Sequence, residues 1–259
     1  MTAAAIQPAT RPAFHPVVLV PVYDHEGAIG AMVDAILAHP LPCLLVDDGS
    51  SPACAAVLRE IAAAHPARIR LVRLPVNQGK GGAIMAGFEE AARLGYTHAL
   101  QIDADGQHDA GCIPQFVALA QADPDAMICG HPVYDDSVPR LRLYARYLTH
   151  VWVWINTLSF QIRDSMCGLR VYPLAAVTAL MRGTPLGRRM EFDTEVLVHL
   201  VWRGVRIVNV PTRVTYPSDG VSHFQAWRDN VLISRMHARL FLGMVWRLPR
   251  LLWRKARPA

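Results

Sequence analysis

Three carboxylates, Asp103, Asp105 and Asp109, fall within seven residues at the end of an apolar run in THALQIDADGQHDAG, residues 97–111. A buried carboxylate is costly unless something compensates it. Asp103 and Asp105, at i and i+2 on a strand terminus, can face one divalent cation, or one cation and a ribose. Hard oxygen ligands suit Mg2+ or Mn2+, and Gln107 offers a further oxygen. A calcium-binding helix–loop–helix is excluded. Its loop would have Gln107 at the acidic position 5, His108 at the glycine position and Pro114 at the closing glutamate. The plain alternative is a solvated turn after a strand.

Two further stretches carry suitable residue types. Asp47-Asp48-Gly49-Ser50 is a second acidic strand end. NQGKGG, residues 77–82, lacks the spacing of a P-loop. It does set glycines and Lys80 at a helix start, where free N–H groups and a cation suit an anion. A glycine-rich strand-to-helix turn explains it equally well. The five cysteines show no CxxC pair, which suits reduced, mostly buried thiols in a cytosolic compartment better than a zinc site or a disulfide frame.

The elements that must position these residues alternate. β-branched apolar runs at 15–23, 43–51, 68–75, 98–103 and 125–130 read as strands. Helical spacing over 29–39, 52–65, 79–95 and 111–122 fills the gaps. That alternation predicts βαβ units and a mostly parallel sheet, with ligands beyond the carboxyl ends of its strands. Pro21-Val22-Tyr23, Asp47-Asp48, NQGKGG and Asp103-Ala104-Asp105 all fall at those ends. Farther along, 140–160 reads as an aromatic-rich helix, 192–204 as a helix and 205–217 as a strand.

At 259 residues the chain can bury a sizeable core, and its composition is 52% hydrophobic and 18% charged. Residues 1–15 read as a frayed arm without the apolar stretch of a signal peptide. The net charge of +5 is uneven. Residues 226–257 hold eight basic side chains against Asp229 alone, mixed with Trp246, Leu248, Leu251, Leu252 and Trp253. A basic, aromatic amphipathic helix lies in a membrane interface. No apolar run is long enough to span a bilayer. Nucleic acid is disfavoured, because the acidic sheet edge repels phosphates and no recognition motif is present.

In their order, VPVYDHEGAI, LVDDGSS, NQGKGGAI and QIDADGQHD resemble family 2 glycosyltransferases of the GT-A fold, and most closely the dolichol-phosphate mannosyltransferase and polyprenyl-phosphate glycosyltransferase branch. RDSMCGLRVY, residues 163–172, and VPTRVTYPSDGVSHF, residues 210–224, are similar to later segments of that branch. The resemblance covers roughly residues 16–224 and implies a GT-A domain there, followed by the basic segment 225–259. It implies a Rossmann-like α/β sheet and inverting transfer from a nucleoside-diphosphate sugar to a lipid-linked or other membrane-associated acceptor. Mg2+ or Mn2+ would assist, at the cytoplasmic face of a membrane. Pro21, Tyr23, Asp47 and Asp48 would line the nucleotide pocket, together with Lys80 and Asp103-Ala104-Asp105. Asp103, Asp105 and Gln107 would hold the metal. Arg170, with Arg140 or Arg146 as further candidates, would face phosphates, and His223 would meet the metal or the diphosphate.

Three departures fall on the acceptor side. The Asn-Glu usual after the tyrosine is Asp24-His25 here. The arginine usual ahead of G-x-S is replaced by Pro217-Ser218-Asp219, and the following lysine by His223. A hydroxyl acceptor needs a general base; an ionised phosphate does not. RRMEFDTE, residues 188–195, resembles the family's acid-bearing loop, which favours Glu191 as base and Asp193 next; a helix N-cap is the plain alternative. A sugar-1-phosphate nucleotidyltransferase is the rival enzyme, but the loop after the first strand lacks the glycine cluster and lysine it needs. The remaining rival is a non-catalytic nucleotide-sugar-binding membrane scaffold.

Overall fold

The computed structural model describes residues 12–133, 140–214 and 224–256, without the side chains of 140–145. β1 (Pro16–Val22), β2 (Cys43–Asp47), β3 (Ile69–Arg73) and β4 (His98–Gln101) alternate with α1 (Glu26–Leu37), α2 (Pro52–Ala64) and α3 (Lys80–Arg93). A short 3-10 turn, Ala110–Cys112, leads into α4 (Ile113–Ala122), then β5 (Met127–Val133) and α5 (Arg140–Thr157). β6 (Arg170–Pro173), α6 (Leu174–Gly183), α7 (Phe192–Arg203), β7 (Ile207–Arg213) and α8 (Ala226–Ala256) complete the order.

The seven strands form one sheet in the order β3-β2-β1-β4-β6-β5-β7. The pairs are parallel except around β6, which runs antiparallel to both β4 and β5. β6 begins inside RDSMCGLRVY, a stretch that reads from the sequence only as a motif, and α6 comes directly after it. β6 matters here because it sets Arg170 beside Gln101.

Alternation along β1 splits the core between the two faces. Val17 and Leu19 join α3, α6, α7 and α8, whereas Val18, Val20 and Val22 join α1, α2 and α4. Local chemistry ends the helices where the sequence suggests. Ser51 caps α2 by accepting from Cys54 N at 3.3 Å, with Pro52 in the first turn. Gly204 closes α7 in the left-handed region, at φ 92°. Gly87 lets α3 approach the sheet so closely that a Cβ there would strike Leu19.

α8 is not set apart from the rest of the fold. Met236, Leu240, Met244 and Leu251 are buried in the same cluster as α7. Several of its arginines are used inward. Arg239 pairs with Glu195 at 3.0 Å, Arg247 lies 4.6 Å from the Trp202 ring centroid, and Arg254 donates to the Trp202 carbonyl at 2.7 Å. The opposite face leaves Phe241, Leu242, Val245, Trp246, Leu252 and Trp253 exposed. α5 packs beside it through Trp152 and Phe241, and exposes Tyr147, Leu148, Val151 and Ile155 at helical spacing. Among the described residues no helix is long and apolar enough to cross a membrane.

Candidate active site

The carboxyl ends of β1, β2 and β4 are fastened to one another. β1 ends beside the half-buried Pro21 and Tyr23. Asp24 follows in the left-handed region at φ 49°, donating its N–H to Ser50 Oγ and accepting from Ser51 N at 2.7 Å. Asp47 is enclosed. It accepts from Ser50 N at 2.8 Å and pairs with Arg73.

Asp48 is also enclosed, accepting from Asn77 Nδ2 at 3.0 Å, Gln78 N at 2.7 Å and Gly79 N at 2.8 Å. Burial pushes its carboxyl up to about 6 against those donors. Asp47 and Asp48 each hold a loop in place through these contacts. The NQGKGG turn spends two of its N–H groups on Asp48, an anion of the chain itself.

The glycines of that turn serve close approach. Gly82 N donates to the Arg188 carbonyl at 2.9 Å. A Cβ at Gly79 would meet the Arg188 carbonyl, and one at Gly81 the Phe192 ring. The start of α3 therefore rests on the loop that leads into α7. Lys80 points from there into an acidic gap, with Nζ 2.7 Å from Asp103 Oδ2 and 2.8 Å from Asp193 Oδ2. Asp103 also accepts from Gln101 Nε2 at 3.3 Å, and its carboxylate lies where a Cβ on Gly168 would be. Burial works to raise the Asp103 carboxyl, but the charges of Lys80 and His108 outweigh it and the net shift is downward.

Ala104 is buried, so the two acids of the motif part company. Asp105 Oδ1 accepts from Gln107 N at 3.0 Å and lines a cleft of about 810 Å³ together with Asp24, Glu26 and His108. Asp24, Glu26 and Cys54 bring ligand atoms within 4.8 Å of one another beside it. Burial, then the charge of Asp103, raises the Asp105 carboxyl. Among the described residues Asp105 makes no salt bridge, although the charges of His108 and Lys80 act to lower its pKa, and its donors are oxygens. Asp105 thus fits a hard divalent cation better than Asp103, whose oxygens already face Lys80 and Gln101, whereas Gln107 meets Asp105 through its backbone N–H. His108, singled out only as part of the motif, is buried with Nδ1 unpartnered among the described residues, and burial lowers its pKa.

The family model described as Glycosyl transferase family 2 matches residues 17–187. The chain belongs to glycosyl transferase family 2. Polyprenol monophosphomannose synthase of Mycolicibacterium smegmatis is 27% identical to this glycosyltransferase over 234 residues, 85% of this chain and 84% of its own. Undecaprenyl-phosphate 4-deoxy-4-formamido-L-arabinose transferase of Pectobacterium atrosepticum is 30% identical over 171 residues, 64% of this chain and half of its own length. Glucosyl-3-phosphoglycerate synthase of Mycobacterium tuberculosis, solved with Mn2+ and UDP-glucose, superposes with a TM-score of 0.64 at 16% identity, covering 89% of this chain and 79% of that one. That likeness speaks for the GT-A fold alone.

Other expected residues of this glycosyltransferase are placed differently from their sequence reading. Arg170 is fully buried, donating to Ser165 O at 2.7 Å, Asp193 O at 2.7 Å and Tyr172 Oη at 3.2 Å. The expectation that it faces a phosphate is therefore corrected: its guanidinium is an internal strut. Asp193 reaches the Asp103 cluster, whereas Glu191 turns back on its own loop, with Oε1 3.5 Å from Arg189 N and its stem against Gly187. Neither caps α7: Glu191 occupies the N-cap position without a side-chain hydrogen bond. His223 and the side chain of Arg140 lie outside the described residues.

Arg146 grips Asp164 through Nε at 2.5 Å and Nη2 at 2.7 Å. Asp164 also accepts from Met166 N at 2.8 Å and Cys167 N at 2.7 Å, shaping the loop that carries Gly168 beneath Asp103. Burial works to raise the Asp164 carboxyl, but its hydrogen bonds and the Arg146 charge hold it well below the usual carboxylate range. A carboxyl depressed in the folded state adds stability above its unfolded pKa, near 4, and loses it as pH falls through the folded value. Asp164→Asn should therefore cost roughly 3 kcal/mol at pH 7, the loss expected when one partner of a buried pair is removed. Denaturant titrations of both proteins should show the difference shrinking toward pH 3. A constant difference would mean that charge is not the cause.

Proposed function

We propose that this family 2 enzyme transfers a sugar from a nucleoside diphosphate to a polyprenyl phosphate at a membrane surface. The observation that carries this reading is the apolar outer face shared by α5 and α8. Its near end adjoins the acidic edge, because Arg146 on α5 holds the Asp164 loop, which passes under Asp103. The names of the relatives, which act on polyprenol or undecaprenyl phosphate, agree with that acceptor class. The cytoplasmic face is the side on which a donor from the cell interior would meet such a lipid.

Asp105, with Gln107 beside it, would hold the divalent cation, Mg2+ or Mn2+; the solved relative contains Mn2+. When bound, the cation would offset charge on the leaving diphosphate as a Lewis acid. The chain's own part is to orient and to exclude water. Pro21 and Tyr23, at the end of β1, flank the nucleotide side. Asp47 and Asp48 fix the two loops behind it. An acceptor phosphate oxygen then attacks the anomeric carbon opposite the diphosphate. One C–O bond forms, the other breaks, the configuration inverts and the nucleoside diphosphate departs. The acceptor is already ionised, so no proton need be removed.

A second reading, a hydroxyl acceptor, is favoured by one observation: Glu191 Oε2 and Asp193 Oδ1 are buried without hydrogen-bond partners among the described residues. Either carboxylate would then serve as base.

Labelled nucleotide sugars offered with vesicles containing polyprenyl phosphate should yield labelled lipid. Nucleotide release without labelled lipid would rule the acceptor out. In vesicle sedimentation, Leu242→Ser with Trp246→Ser should weaken binding about 10²–10⁴-fold, since each buried side chain is worth roughly 1.5–3 kcal/mol. Salt should release the wild type only in part, because only the arginine contribution is screened. A double variant that still pellets with anionic vesicles would remove α8 from the contact.

A further inference from the structure

Lys80 stands between the end of β4 and the first turn of α7, in contact with Asp103 and Asp193. From the sequence it reads as a cation waiting for phosphate. Its surroundings point to another use. The ammonium has three N–H donors, and two of its nearest neighbours are carboxylates from distant parts of the chain, Asp103 at 2.7 Å and Asp193 at 2.8 Å. The Lys80 and Asp193 side chains are only 17% and 8% exposed, so the pair is poorly screened. Asp193 is held from the other side as well, its carbonyl accepting from the buried Arg170 at 2.7 Å and its Oδ1 lying 3.7 Å from the same guanidinium. Charges alternate along the row Asp103, Lys80, Asp193, Arg170, which joins β4, α3, α7 and β6.

We propose that Lys80 is a positioning residue rather than a phosphate ligand. It clamps the loop bearing Glu191 and Asp193 to the end of β4, and it keeps Asp103 turned from the cleft so that Asp105 is left to the cation. The backbone agrees independently. The start of α3, which carries Lys80, touches the same loop through the Gly82 N to Arg188 O bond, and a side chain at Gly79 or Gly81 would force the two apart. Without the ammonium, two carboxylates would face one another in a dry gap and repel. The loop would shift, and the acceptor side of the site would lose its alignment while the nucleotide side, built on β1 and β2, would not.

The inference rests on the transferase reading for its effect on turnover, but its test does not depend on which acceptor is used. Lys80→Met, Asp193→Asn and the double variant would be compared by nucleotide release, by equilibrium binding of a nucleoside-diphosphate sugar with Mn2+, and by unfolding. Lys80→Met should lower kcat about 100-fold and leave donor Kd within about threefold, as expected for a group acting on alignment. The double variant should be no slower than the slower single variant, and the same non-additivity should recur in unfolding, which involves no substrate. Donor Kd weakened tenfold or more in Lys80→Met, or effects of the two changes that multiply, would overturn the proposal. Should Lys80→Met fail to fold, the double variant, which removes the stranded carboxylate along with its partner, is expected to fold and bind donor normally. Loss of donor binding there overturns the clamp just as well. Labelled lipid absent from the wild type would count against the acceptor alone, because the coupling in unfolding would be unaffected.

Discussion

Asp105→Asn should lower turnover by about 10²–10³, the usual cost of losing a group that stabilises developing charge, and should leave thermal melting nearly unchanged. The two halves of this expectation have separate grounds. Asp105 makes one local hydrogen bond, to Gln107 N, and lines an open cleft. Little of the fold depends on it. Among the described residues its carboxylate makes no salt bridge, so asparagine removes the carboxylate a cation would need. The same substitution at Asp103 should behave differently. Asp103→Asn breaks the contact with Lys80 and disturbs a carboxylate packed on Gly168, so it should cost stability as well as rate. Titrating Mn2+ into wild type and Asp105→Asn, with Mn2+ affinity and turnover both recorded, checks the assignment. Near-normal turnover of Asp105→Asn at saturating metal would show that the cation is held elsewhere.

Much of this was legible in the sequence because it is local. The runs that became β1, β2, β3, β4 and β5 announce themselves by β-branched residues, and their polar ends fall where parallel strands end. The strand β6 was not legible. Four residues, RVYP, come after a cysteine and a glycine and lack a run of their own; only pairing with β4 and β5 makes them a strand. The same holds for charges. Counting arginines in the C-terminal segment cannot reveal that Arg239, Arg247 and Arg254 turn inward onto Glu195 and Trp202. Nor does NQGKGG show that its N–H groups already have an anion, since Asp48 approaches from a different strand end. Lys80 and Asp193 are far apart along the chain, and no spacing rule brings them together. Motifs pointed to candidate residues; long-range contacts put Asp105 on the cleft and tie Asp48, Lys80 and Arg170 into the fold.

Acceptor choice should give the other large effect. Offered as matched lipids in the same vesicles, polyprenyl phosphate should accept sugar at least about 10³ times faster than the corresponding polyprenol, because an alcohol must lose a proton and a positioned base supplies roughly 10²–10⁴ of rate. The geometry near Asp193 favours the phosphate. Asp193 Oδ2 is taken up by the ion pair with Lys80 at 2.8 Å, and Glu191 is folded against Gly187. With the phosphate acceptor, Glu191→Gln should therefore reduce kcat less than about tenfold and leave the alkaline pH profile unaltered, since no proton moves in the step. The contrary result is equally definite. Efficient transfer to polyprenol, abolished by Glu191→Gln with donor affinity intact, would make Glu191 the base and a hydroxyl the acceptor.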